Sequence, residues 1–204
     1  MNKNRLIAII VGALFLTSTV AFSIGSSFIQ SYFDDGNLNK TLLITGVLLE
    51  IYCGIAVAGI GILMFPILRM FNKNLALGYA IFRIIECAII IIGGTYLLSL
   101  LKLMWNHEMI IFIVTGLGGL IFSYLLYQSK LIPRYLSVLG IIGYTMLLLG
   151  VSLNMLGYVD INAGAGMLLY LPGGLFELFL PLWLFVKGFN PSAIASGSAK
   201  VDVS

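Results

Sequence analysis

Apolar side chains occur along this chain in long runs separated by short polar or proline-containing joints. A helix needs about 20 mostly apolar residues to cross roughly 30 Å of hydrocarbon. Cut at its joints, the sequence offers six such stretches, at about 6 to 25, 41 to 66, 77 to 102, 109 to 128, 135 to 158 and 165 to 187. Irregular backbone cannot face lipid, and each run is far longer than the roughly 9 to 11 residues of a barrel strand. The pattern predicts an all-α, polytopic integral membrane protein, a six-transmembrane-helix bundle forming one domain over residues 1 to 188. From 189 to 204 the composition turns to Ser, Ala, Gly and Pro with little to bury, which predicts a disordered cytoplasmic tail.

The prolines sharpen this reading. Pro66, followed by Arg69, predicts the end of the second span, and Pro133 predicts the start of the fifth. Pro172 and Pro181 lie within the sixth, and with Gly173 and Gly174 they predict a kinked or broken helix directly before Glu177.

Composition agrees with the pattern: 60% of the 204 residues are hydrophobic and 9% charged. A mean hydropathy of +1.09 lies far outside the soluble globular range. The net charge of +3 is too small an excess to suggest a nucleic-acid partner, and the basic residues mark topology instead. Lys3, Arg5, Arg69, Lys73, Lys130, Arg134, Lys187 and Lys200 fall on one side of the predicted membrane, against Lys40 and Lys102 on the other. That bias predicts both termini in the cytoplasm, with Asp34, Asp35, Glu108 and Asp160 at the outer side. Lys3 and Arg5 before an apolar run resemble a secretory signal, but the run from Leu6 to Ile24 exceeds the roughly 7 to 15 residues of a signal core and is read as a span. The longest outer loop is expected from Ser26 to Lys40.

Four charged residues interrupt the spans: Glu50 in the second, Arg83 and Glu86 in the third, and Glu177 in the sixth. Each costs about 2.5 to 3.5 kcal/mol at mid-membrane on insertion scales, so they must face protein, water or one another. At about 1.5 Å rise per residue, the three glutamates lie at a similar depth near the bilayer centre, with Arg83 about one turn nearer the cytoplasm. Glu50 is followed on its helical face by Cys53, Gly54, Val57, Ala58 and Gly61, a stripe small enough for close helix approach. Glu86 shares a face with Tyr79, Arg83 and Gly93, and Glu177 with Tyr170, Gly173 and Gly174. The second, third and sixth spans are therefore expected to meet around one polar site. Fully ionised, the four residues sum to −2, which calls for a bound cation or a proton on a carboxyl. The cluster reads either as a site for a small molecule, cation or proton, or as ion pairs that fix helix contacts without a ligand.

Other signals are weaker. Tyr79 and Glu86 are seven apart, as are Tyr170 and Glu177, a spacing compatible with a three-plus-three inverted repeat. Asn154, Tyr96, Tyr124, Tyr127, Tyr144, Trp105 and Trp183 read as helix-contact groups and interfacial anchors. Cys53 and Cys87 lie in apolar runs, and the single histidine, His107, is placed in an outer loop, so neither a disulfide nor a metal or cofactor site is predicted. No catalytic motif is present, and an enzyme here would need a metal or lipid head group touching at least two glutamates.

The stretch Leu49-Glu50-Ile51-Tyr52 leads to Phe65-Pro66-Ile67-Leu68 and then to Leu75-Ala76-Leu77-Gly78-Tyr79-Ala80-Ile81-Phe82-Arg83-Ile84-Ile85-Glu86. With Ser129-Lys130-Leu131-Ile132-Pro133-Arg134-Tyr135-Leu136-Ser137, and Glu177 followed by Leu182-Trp183-Leu184-Phe185-Val186-Lys187-Gly188-Phe189, this resembles the bacterial membrane family catalogued as domain of unknown function 4386. The resemblance covers about residues 40 to 191 and its signature includes Glu50, Arg83, Glu86 and Glu177. It implies a six-helix protein of the bacterial cytoplasmic (inner) membrane and carries over no substrate. The expected function is binding, with transport as its leading form, of a small molecule, cation or proton at the Glu/Arg cluster. The alternative is an accessory or sensor protein that assembles with a membrane-protein partner or with itself.

Overall fold

The structure is a computed structural model, and it describes residues 2–33, 39–102, 107–161 and 163–201, with side chains to residue 199. Asp34, Asp35 and Trp105 lie outside the described residues. The helices are α1 (Lys3–Phe33), α2 (Lys40–Leu68), α3 (Lys73–Leu100), α4 (His107–Ser129), α5 (Arg134–Met155), α6 (Leu171–Val186) and α7 (Pro191–Val201), with a 3-10 segment over Gly164–Leu169. No strand occurs among the described residues. Six helical segments are long and apolar enough to cross a membrane, the sixth running from Gly164 to Val186, which is the pattern of a multi-pass membrane protein.

Local chemistry sets the helix ends. Asn39 accepts from the Thr41 and Leu42 amides at the start of α2, and Asn72 accepts from the Leu75 amide at the start of α3. Leu101 and Lys130 turn the chain left-handed (φ 51° and 55°) after α3 and α4. Pro172 sits in the first turn of α6, where its missing N–H costs nothing. The 3-10 segment before it ends at Tyr170, so the sixth span is broken, but about two turns before Glu177 and not directly before it, and α6 runs unbroken from Leu171 through Glu177.

Two stretches depart from the sequence reading. α1 runs on to Phe33, where a loop was expected from Ser26; 31 residues span about 46 Å. Its hydroxyls explain the extension: Ser23 and Ser27 donate to the carbonyls of Thr19 and Ser23, one turn back, and so hide their polarity inside the helix. Ile29 then buries against Leu43, Val47 and Leu97. Where a disordered tail was expected from 189, α7 forms instead. Asn190 caps it by accepting from the Ser192 amide, Phe189 and Ala193 are buried, and Gly197 rests on Met70 and Phe71.

The six long segments form a closed ring in chain order, each packed on its sequence neighbours, with α6 returning to α1. The closure is pinned by Arg5, which donates to the carbonyls of Leu184 (2.9 Å) and Phe185 at the end of α6. Glycines permit the closest approaches. A methyl group on Gly46 would come within 2.8 Å of the Gly25 carbonyl oxygen, and one on Gly143 within 2.5 Å of the Gly173 backbone. The largest apolar core fills the end of the ring holding the carboxyl-terminal halves of α2 and α4: Met64, Leu68, Phe122, Leu125, Leu126 and Leu131 are almost fully buried there.

Candidate functional site

At the opposite end the ring is hollow. A cavity of about 470 Å³ runs from Arg83, Glu86 and Glu177 at its floor to Ser27, Gln30 and Glu108 at its rim. Its floor rests on stacked rings: Phe122 lies between Phe15 (centroids 5.8 Å) and Tyr79 (4.7 Å), and the Arg83 guanidinium sits over Tyr79 at 5.3 Å.

Two hydrogen-bonded groups occupy this floor. On α3, buried Arg83 donates from Nη1 to Glu86 Oε2 at 2.8 Å, and Thr115 of α4 donates to Glu86 Oε1 at 2.6 Å. One turn of helix places the two charges together, since residues i and i+3 share a face. On α6, Glu177 accepts from Thr19 of α1 and Tyr144 of α5, both at 3.1 Å. A carboxylate that accepts from two neutral hydroxyls is held in position while keeping its charge uncancelled by a direct ion pair. If all three groups are ionised, the floor carries one positive and two negative charges, and hence a formal excess of one carboxylate.

The predicted residues are thus only partly assembled. Arg83, Glu86, Glu177 and Tyr170 line the cavity, and Tyr79 supports its floor from below. Tyr170 stands nearer the rim, in edge contact with Phe112 (5.4 Å), and its hydroxyl has no hydrogen-bond partner among the described residues. Glu50 is buried but does not line the cavity; a methyl on Gly25 would touch its Cγ at 3.2 Å, which places it between α1 and α2. The second, third and sixth spans all line this cavity, but only α2 and α3 pack directly on each other. In the ring α6 packs on α5 and α1, so the α3 and α6 charges face each other across a cavity walled also by α1, α2, α4 and α5. The small stripe after Glu50 serves the α2–α3 contact: Gly54 lies against Ile90 and Cys87, and Gly61 against the stem of Arg83.

Several contributors escaped the sequence reading. Thr19 and Thr115 were not singled out, and Tyr144, expected as an anchor or contact group, is fully buried as a donor to Glu177. A signal existed in α1: Ser18, Thr19, Ser23, Ser26, Ser27 and Gln30 recur at helical spacing within an apolar run and all line the cavity. His107 also differs from expectation. It begins α4, and its ring fills the space beside Gly93, where an added methyl would overlap it. Among the described residues no group of three or more His, Cys, Asp or Glu side chains is arranged to hold a metal ion.

The family model described as Domain of unknown function (DUF4386) matches residues 10–108 and 95–188, which together cover most of the chain. No curated protein and no solved structure matches it.

Proposed function

The chain belongs to the family of domain of unknown function 4386, and from that premise we propose that it binds a small molecule, a cation or a proton at the cavity floor. Transport is the leading form of this reading. The observation that carries it is the cavity itself: it reaches a charged floor whose carboxylates outnumber its cation. A binding site needs room, polar groups that converge, and a way in, and all three features support the reading. With both carboxyls ionised, the excess of negative charge favours a guest that is cationic or brings a proton.

The same reading sets the protein in a bacterial inner membrane, as the family resemblance implies, with both termini in the cytoplasm on the strength of the Lys and Arg distribution. The hollow end then faces outward, the floor lies near mid-membrane, and the Phe15–Phe122–Tyr79 stack closes the cytoplasmic side. Transport requires that stack to part, as alternating access moves one group of helices against another around a fixed site. The short α6, already broken from its 3-10 segment at Tyr170, is the element best suited to move.

The second reading, an accessory or sensor protein whose charges are structural, is favoured by the buried Arg83–Glu86 ion pair made within one helix, although Arg83 Nε and Nη2 have no hydrogen-bond partner among the described residues. One experiment separates the two. Thermal stability of purified protein in detergent is measured from about pH 5 to pH 9 with cations and a metabolite library, for wild type, Glu86→Gln, Glu177→Gln and Glu50→Gln. A guest at 100 times its dissociation constant adds about 2.7 kcal/mol. Stabilisation that disappears in Glu177→Gln while the variant stays folded, and persists in Glu50→Gln, supports binding at the floor. No stabilisation in wild type by any addition, with each Gln variant merely less stable, leaves the accessory reading.

A further inference from the structure

A second concavity, of about 570 Å³, lies at the filled end of the ring between two turns of the chain. One is the α4–α5 turn, Lys130 to Arg134; the other is the α6–α7 turn, Lys187 to Pro191. Asn190 joins them, donating from its amide to the Leu131 carbonyl (2.9 Å) and from Nδ2 to the Lys130 carbonyl (3.3 Å). The groove is therefore a built feature and not a gap between loose loops. Lys130, Arg134 and Lys187 line it, and among the described residues no Asp or Glu does. None of the three is ion-paired among the described residues, and Arg134 leans on the Tyr127 ring at 5.3 Å.

We propose that this groove seats a phosphate group, carried either by an anionic lipid head group or by a soluble phosphate. Three cations lining one groove with no acid among the described residues favour an anion there, and a tetrahedral oxyanion can accept from several at once. The amino-terminal turn of α5 adds to them: Pro133 leads it with no side-chain cap among the described residues, so its first-turn amides can serve an acceptor. The surroundings favour the lipid. Trp183 lines the groove, and beside it Leu182, Val186 and Tyr135 are exposed at 53%, 72% and 70%, apolar surface that an acyl chain would cover and a free ion would not. The proposal is independent of any guest in the central cavity.

The test uses the full chain in neutral detergent, titrated with phosphatidylglycerol, phosphatidylcholine or inorganic phosphate. Thermal stability and native mass spectrometry are the readouts. Each cation near an anionic lipid surface contributes about fivefold in affinity. Phosphatidylglycerol is expected to bind at least about fivefold tighter than the zwitterionic lipid, with the preference lost in Lys130→Gln/Arg134→Gln/Lys187→Gln. The double variant Arg69→Gln/Lys73→Gln, which removes two cations outside the groove, should keep it. Should the triple variant fail to fold, Lys130→Gln and Lys187→Gln singly alter only exposed side chains and should each cost about fivefold. Stabilisation by inorganic phosphate alone, lost in the groove variants, assigns the seat to a soluble phosphate. Equal binding of the two lipids without a phosphate effect, or equal losses in the groove and control variants, overturns the proposal.

Discussion

The two ends of the helical ring belong to the same six apolar segments but solve different problems. At the end holding the carboxyl-terminal halves of α2 and α4, large side chains meet in the middle and leave no space: Met64, Leu68, Leu125, Leu126 and Leu131 are inaccessible. At the other end α1 contributes Ser18, Thr19, Ser23, Ser26 and Ser27, side chains too small to fill the centre. The ring stays open there. Arg83, Glu86 and Glu177 lie at the boundary between the two, with aromatic packing on one side and open volume on the other. Packing holds such groups at fixed spacing while the cavity leaves them reachable, a combination that neither end provides alone.

The contrast can be broken from the filled side with the largest effect. Phe122→Ala removes the central ring of the Phe15–Phe122–Tyr79 stack and should cost about 3 to 5 kcal/mol, read as a drop in unfolding midpoint. Phe22→Ala, the same change at a cavity wall, should cost well under half as much; equal losses would mean that the hollow end is as tightly packed as the filled one. At the boundary, Glu86→Leu strands the buried Arg83 and should cost about 3 kcal/mol or more, most of which returns when Arg83→Leu is added. A double variant no more stable than Glu86→Leu would show that the pair does more than neutralise itself. Smaller still, Gly46→Ala pushes α2 off the Gly25 carbonyl and should cost about 1 to 3 kcal/mol, checked by the same melts.

Much of this architecture was legible in the sequence because the bilayer imposes it. Apolar runs of sufficient length located all six segments, and Pro172 with Gly173 and Gly174 located the break in the sixth. The cost of burying charge singled out Arg83, Glu86 and Glu177 for the same reason. The arrangement of neighbours was not legible. Rise per residue gives depth but no azimuth around a ring, so Glu50 was grouped with residues it does not join, and the hydroxyls of Thr19, Tyr144 and Thr115 could not be matched to their carboxylates. The length of α1 was missed because serines bonded to their own helix look like loop residues in a sequence. α7 was missed because one cap and a few buried small side chains leave little trace in composition.

The ring order has a bearing on how such a chain comes to be assembled. Because each of the six long segments packs on the one made just before it, contacts accumulate at short sequence separation and each new segment finds its partner already in place. The exception is the seam between first and last. Until the Leu184 and Phe185 carbonyls meet Arg5, the chain is an open arc with a polar edge on α1 and Glu177 not yet delivered to Thr19. Synthesis of α6 is thus the step that turns a curved sheet of helices into a vessel, and a chain truncated before Leu171 would have walls but no enclosure.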